Sequence, residues 1–366
     1  MKKIVYICVL SLIVACSSSS NDDSSTSTPD DFNRKEMLTF WADQMIIPGY
    51  NDFVEKTELL NETIKKFTTT ANTANLVEAR TAWKNAYITW QKISLFQVGK
   101  AQEINMVGYM NTIPTNATQL DDYAKSGTYN LESPNLISVQ GFPALDYLLN
   151  GKGTDEETVT FYTTAENAAK YTQYLKDVSN RVYNLSKQVK DDWNGGYKQT
   201  FIENDGYSIS SSVDKLVNFY VVAFFEKQLR DPKVANPSGA RTGIPDVTLV
   251  EGFYKKDISK ELFITALTAT KNFYKGIGYN GNNGKSLQQY LEFLKRKDLA
   301  DLINTNFTSL EDKASLLKDD FTDQIQNDKN VFLNTYEAMQ TVLKNFKPDM
   351  MSAMSIKNTS SDADND

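Results

Sequence analysis

The sequence predicts an all-α protein of two similar helical bundles packed side by side, and three observations predict it. Apolar residues recur at steps of three and four along most of the chain, which lines them on one face of a helix. No convincing run alternates apolar with polar residues as a half-buried strand would. Two irregular segments, residues 99–140 and 231–247, each follow strongly helical sequence and each precede another helix start, so the halves read alike.

The chain opens with Lys2 and Lys3, then an apolar run from Ile4 to Val14, then Ala15-Cys16. The run is too short to span a bilayer, and residues 1–15 read as a signal peptide. Ile13-Val14-Ala15-Cys16 resembles the lipobox of a bacterial lipoprotein, which implies cleavage before Cys16 and lipidation of its thiol. Residues 16–33, rich in Ser, Thr and Asp, offer almost nothing to bury and read as a flexible tether behind that lipid. The N-terminal bundle is expected over residues 34–200, the C-terminal bundle over 201–356 and an acidic tail over 357–366, with the boundary near 194–212.

Within the first bundle, Leu76, Ala79, Trp83, Ala86, Trp90 and Ile93 form one stripe. Phe161, Ala165, Ala168, Thr172, Leu175, Val178, Val182, Leu185 and Val189 form the next, ended by Gly195-Gly196. In the second, "LVNFYVVAFF" from Leu216 to Phe225 carries no charge, so a short core helix covered on all sides is expected. Leu310, Ala314, Leu317, Phe321 and Ile325 begin a third stripe, continued by Phe332, Met339, Leu343 and Phe346, with a capping box predicted at Thr308 and Glu311. The segment 99–140 holds Gly108, Pro114, Gly127 and Pro134 and reads as a loop-rich insertion.

The formal net charge is −7, two units more negative once Lys2 and Lys3 leave with the signal. That argues against nucleic acid and favours cationic partners or metal ions. Cys8 and Cys16 are the only cysteines, so no disulfide forms within the mature domain. "GIGYNGNNGKS", Gly276 to Ser286, satisfies G-x-G-x-x-G in form. Helical sequence rather than a strand precedes it, so a flexible helix-helix loop is expected and no nucleotide. The carboxylates of Asp362 to Asp366 lack the turn Gly and bidentate Glu of a calcium loop and read as a solvated tail.

His is absent from all 366 residues. Zinc hydrolases, His-based Ser and Cys proteases and two-His iron centres thereby lose their standard parts. Metal chemistry must then use oxygen from Asp, Glu, Tyr, backbone carbonyls and water, a set suited to hard cations.

"ARTAWKNAYITWQKISLFQVGKAQ", "YMNTIPTNATQLD" and "GFPALDYLLNG", followed by "VNFYVVAFFEKQLR", "GIPDVTLVEGFYKKDISKELF" and "KPDMMSAMSI", resemble successive blocks of the imelysin-like family over about residues 35–356. The resemblance implies two similar helical bundles, export to the periplasm or outer membrane of a Gram-negative bacterium, often as a lipoprotein, and a link to iron uptake with a partner protein of that system. It also implies a metallopeptidase, after the protein that named the family, and a G-x-H-x-x-E metal motif. The matching window here is Gly141-Phe142-Pro143-Ala144-Leu145-Asp146. Pro143 supplies no ligand atom and equally suits a plain helix start, while Asp146 keeps a carboxylate.

The first functional reading is a non-catalytic binding lipoprotein of the iron-uptake class, with its site between the bundles. Gly141 would allow close backbone approach, Asp146 and Glu251 would ligate an iron or other hard metal ion through oxygen, and Glu226, Arg230 and Tyr254 would complete the site. Glu226 and Arg230, four apart, also fit a helix-surface pair, and Glu251 also fits the first turn of a helix. The second reading is a divergent metallopeptidase, against which the missing imidazole counts. The third is a surface scaffold for a protein or glycan partner.

Overall fold

The computed structural model describes residues 30–359. The expected signal peptide, Cys16, the expected tether as far as residue 29 and the expected tail from residue 360 lie outside the described residues. Among the described residues all named elements are helical, and the one β-type contact is an isolated bridge between Ile277 and Asn283. Among the described residues no helix is long and apolar enough to cross a membrane.

Eight helices organise the molecule: α1 (Ile47–Thr69), α2 (Thr73–Ile93), α3 (Gly141–Asn150), α4 (Ala168–Asp192), α5 (Phe219–Ala235), α6 (Ser259–Lys275), α7 (Lys297–Ser315) and α8 (Asn330–Lys344). Helix α1 packs on α2 and α4, and α3 closes that group from the side; α5 packs on α6 and α8, with α7 behind α8. The two groups meet where α6 lies along α2, and one continuous apolar core runs through both. Every residue of the α2 stripe is buried, and Asn72 caps the helix by accepting the Asn75 amide at 2.9 Å.

The expected uncharged helix is present: eight of the ten residues from Leu216 to Phe225 are buried, with Phe219 and Ala223 half-buried. It does not stop at Asp231. The wide π-turns of α5 carry it through Pro232, and Asn236–Ser238 extends it. A wider turn relieves the clash that a proline ring makes with the preceding carbonyls of an α-helix. The irregular segment therefore begins later than expected. The 99–140 insertion likewise holds helices at Lys100–Glu103, Met106–Met110 and Ala117–Ser126 and a 3-10 segment at Pro134–Val139.

Three predicted helix limits are corrected. Thr308 is not a cap: it sits inside α7 and its hydroxyl returns to Asn304 O at 3.1 Å, so the Thr-x-x-Glu spacing fell within a continuous helix. The stripe from Leu310 to Ile325 spans α7 and a separate helix, Phe321–Asn327, capped by Asp320. Similarly, Phe161 belongs to a short helix, Asp155–Thr163, ahead of α4.

The glycine-rich loop after α6 is pinned in place. The Tyr279 amide donates to Gln44 O at 2.6 Å, the Asn282 amide group to Gln44 Oε1 at 2.8 Å, and the Tyr279 hydroxyl to Asp52. A Cβ at Gly284 would fall 2.1 Å from the Phe40 ring, so this glycine serves helix-loop packing.

Candidate functional site

Helix α3 starts abruptly. Gln140 is extended, Gly141 takes φ +76°, and a Cβ on Gly141 would lie 2.3 Å from Met110 O and 2.5 Å from Tyr109 O. Left-handed backbone and close approach both demand glycine here, and the backbone approached is the chain's own. Phe142 stacks on Tyr87 with ring centroids 4.6 Å apart, and its carbonyl accepts the Trp83 indole N–H at 3.1 Å. Pro143 occupies the first turn of α3, as a plain helix start would use it.

One turn further, buried Asp146 reaches across to the other half. Its Oδ2 accepts the Tyr254 amide at 3.0 Å; its Oδ1 accepts the Lys255 amide and the Asn150 side chain, each at 3.0 Å. Burial pushes its carboxyl up to about 7, against the pull of these hydrogen bonds. Asp146 thus clamps the turn ahead of α6 onto α3. The Tyr254 ring lies 5.0 Å from that of Tyr147.

Glu251 sits 3 % exposed just outside the short turn Val247–Leu249, so it does not begin a helix. Its Oε2 pairs with the Lys233 ammonium. Its Oε1 receives Gln91 Nε2 at 3.0 Å and Asn111 Nδ2 at 2.8 Å, with the Tyr87 hydroxyl at 2.9 Å. Lys233 also donates to Gln91 Oε1 at 2.9 Å. Burial pushes the Glu251 carboxyl up, but the ammonium and the hydrogen bonds outweigh it and hold the carboxyl below its ordinary value. The group is a carboxylate at neutral pH.

Asp146, Glu251 and Tyr254 wall one cavity of about 120 Å³, with Ile113, Pro143 and Phe253. Gly141 does not line it and packs instead against the Met110 and Tyr109 carbonyls. Glu226 and Arg230 belong to a different cluster. They pair with each other at 3.3 Å in the interior rather than on a helix surface. Arg230 donates to Asp231 at 2.7 Å and to Gln340, and Lys347 reaches Glu226 at 3.2 Å, all within the second group of helices. Four residues of the junction lie beyond the sequence expectation: Tyr87, Gln91, Asn111 and Lys233. Tyr87 and Gln91 stand four apart on α2, beside an apolar stripe that masks them; Lys233 follows a proline that reads as loop.

The donor set does not fit the expected metal. Both oxygens of Asp146 and both of Glu251 already face N–H, O–H or ammonium donors, whereas a hard cation needs bare oxygen lone pairs around it. Among the described residues no three Asp, Glu, His or Cys side chains gather as a metal site requires. The cation that Glu251 holds is Lys233.

Fold and site together define an all-helical protein whose halves join through a buried polar junction. The family model described as Peptidase_M75: Imelysin matches residues 46–344, and the chain belongs to the imelysin family. Among solved structures, it resembles a protein of Parabacteroides distasonis ATCC 8503 described as an iron-regulated protein A precursor, with TM-score 0.73 and 18% identity, covering 90% of this chain and 97% of that one. It also resembles an imelysin-like protein from Psychrobacter arcticum 273-4, with TM-score 0.68 and 15% identity over 89% of this chain and 96% of that one. At such identities these likenesses speak for the fold. No curated protein matches the chain.

Proposed function

We propose that this imelysin-family protein is a non-catalytic binding lipoprotein, anchored through Cys16 to the outer membrane and serving bacterial iron uptake with a partner protein. The ligand meets the junction beside Asp146, Glu251 and Tyr254, and iron arrives as a chelate rather than as a bare ion. One observation carries this reading: the carboxylates that a peptidase would need as base or metal ligand are held by Lys233, amides and backbone N–H groups. The description of the Parabacteroides distasonis protein as iron-regulated supports the iron link.

Calorimetry of the mature protein with Fe(III)-citrate tests it. Binding that Asp146→Ala weakens at least tenfold is expected. Absence of binding, or equal binding by the variant, would overturn the proposed site. Insulin cleavage by pure protein that a chelator abolishes would overturn the non-catalytic assignment.

A further inference from the structure

A second and larger cavity, about 320 Å³, opens between α2, α6 and the glycine-rich loop and shares no lining residue with the Asp146 cavity. Its size falls within the range of small-molecule sites. Met45, Phe96, Phe273 and Ile277 give it an apolar floor, and the Tyr279 ring forms a wall. That ring is fixed from both sides: its hydroxyl donates to Asp52, and Gly49 makes room for it, since a Cβ there would meet the ring at 3.3 Å. The cavity is thus preformed rather than a gap awaiting collapse.

Its polar groups are unspent. Thr265, Thr268 and Asn272 lie at steps of three and four along α6, on the face that lines the cavity. Among the described residues their side chains make no hydrogen bond. Thr270, on the buried face of the same helix, returns its hydroxyl to Ala266 O at 2.7 Å in the usual way. Lys92 stands at the mouth with its ammonium 5.4 Å from the Tyr279 ring centroid, and among the described residues it has no ion-pair partner. Among the described residues it is the only charged one lining this cavity, in a chain of net charge −7. A cation left unpaired in an acidic protein, over an aromatic wall and beside three free donors, complements an anion with an apolar body.

We propose that this cavity binds a small amphipathic carboxylate, its headgroup received by Lys92 with Thr268 and Asn272, its aromatic or aliphatic body lying on Phe96, Phe273 and Tyr279. The probes are 4-phenylbutyrate and octanoate, with 4-phenylbutan-1-ol and 4-phenylbutylamine as neutral and cationic counterparts, titrated calorimetrically into the mature protein. One site is expected for at least one carboxylate, with binding at least tenfold weaker for the alcohol and the amine. Lys92→Met should weaken carboxylate binding at least tenfold and Lys92→Arg should largely restore it; Ala269→Trp, which fills the cavity, should abolish it. Thermal midpoints near that of the parent establish that the variants fold. Binding of neither carboxylate, equal binding of the amine, or binding unchanged in both Lys92→Met and Ala269→Trp would overturn the proposal.

Discussion

Lys233 and Glu251 form a buried ion pair across the 18 residues from the end of α5 to the turn ahead of α6, their side chains 4 % and 3 % exposed. The pair sits beneath α2, where Tyr87 and Gln91 share the same carboxylate. Both charges belong to the second group of helices, and the first group reaches them through the Tyr87 hydroxyl and the Gln91 and Asn111 amides that donate to Glu251.

Removing one partner strands the other charge in the interior, which typically costs about 3–5 kcal/mol. Lys233→Met and Glu251→Gln should each lower stability by that order in urea denaturation. The double variant should lose less than the sum, by about 1–3 kcal/mol, because neither charge remains. Additive losses would show that the two do not act as a pair.

Asp146 sets a pH dependence of unusual sign. Its folded carboxyl is raised to about 7, well above the unfolded value. Between about pH 4 and 7 the folded state therefore holds a proton that the unfolded state has lost. This group's contribution to stability falls as pH rises through that window, by at most about 1.4 kcal/mol per pH unit. Stability curves of the parent and Asp146→Asn should differ by this slope and run parallel above pH 8. Parallel curves from pH 4 upward would contradict the raised value.

Gly141→Ala should destabilise by more than about 1 kcal/mol, because strain at φ +76° adds to overlap with Met110 O. Gly195→Ala is the control, since a Cβ there meets nothing within 4 Å. A thermal midpoint lowered only in the first variant is the expected result.

Trp83→Phe tests the support beneath the site. It removes the indole N–H that holds Phe142 O at 3.1 Å and leaves a gap in a fully buried position. A loss of about 1–3 kcal/mol is expected from the lost hydrogen bond and the lost volume together.

Much of the fold is legible in the sequence because burial imposes a period that survives in single residues such as Leu76, Trp83 and Trp90. The junction is legible in part. Asp146, Glu251 and Tyr254 stand out as acids and aromatics next to turn residues, and they do meet at one cavity. Lys233 is hidden for a physical reason: a proline immediately before it signals chain reversal, and only the tertiary packing of α5 permits a wide-turned helix there. Tyr87 and Gln91 are hidden differently, since their spacing matches the apolar stripe and their polar atoms have a use only when Glu251 arrives from the other half. Glu226 and Arg230 illustrate the converse, a spacing read correctly as a pair whose place in the interior no local pattern reveals.

The central claim, that a lysine rather than a metal ion serves as the cation of this junction, is tested most directly by titrating the mature protein calorimetrically with Zn(II), Ca(II) and Mn(II), alongside Asp146→Ala and Glu251→Ala. A junction filled by Lys233 predicts heats of dilution for the parent and for both variants. Stoichiometric binding of a bare ion by the parent, lost in both variants, would contradict it.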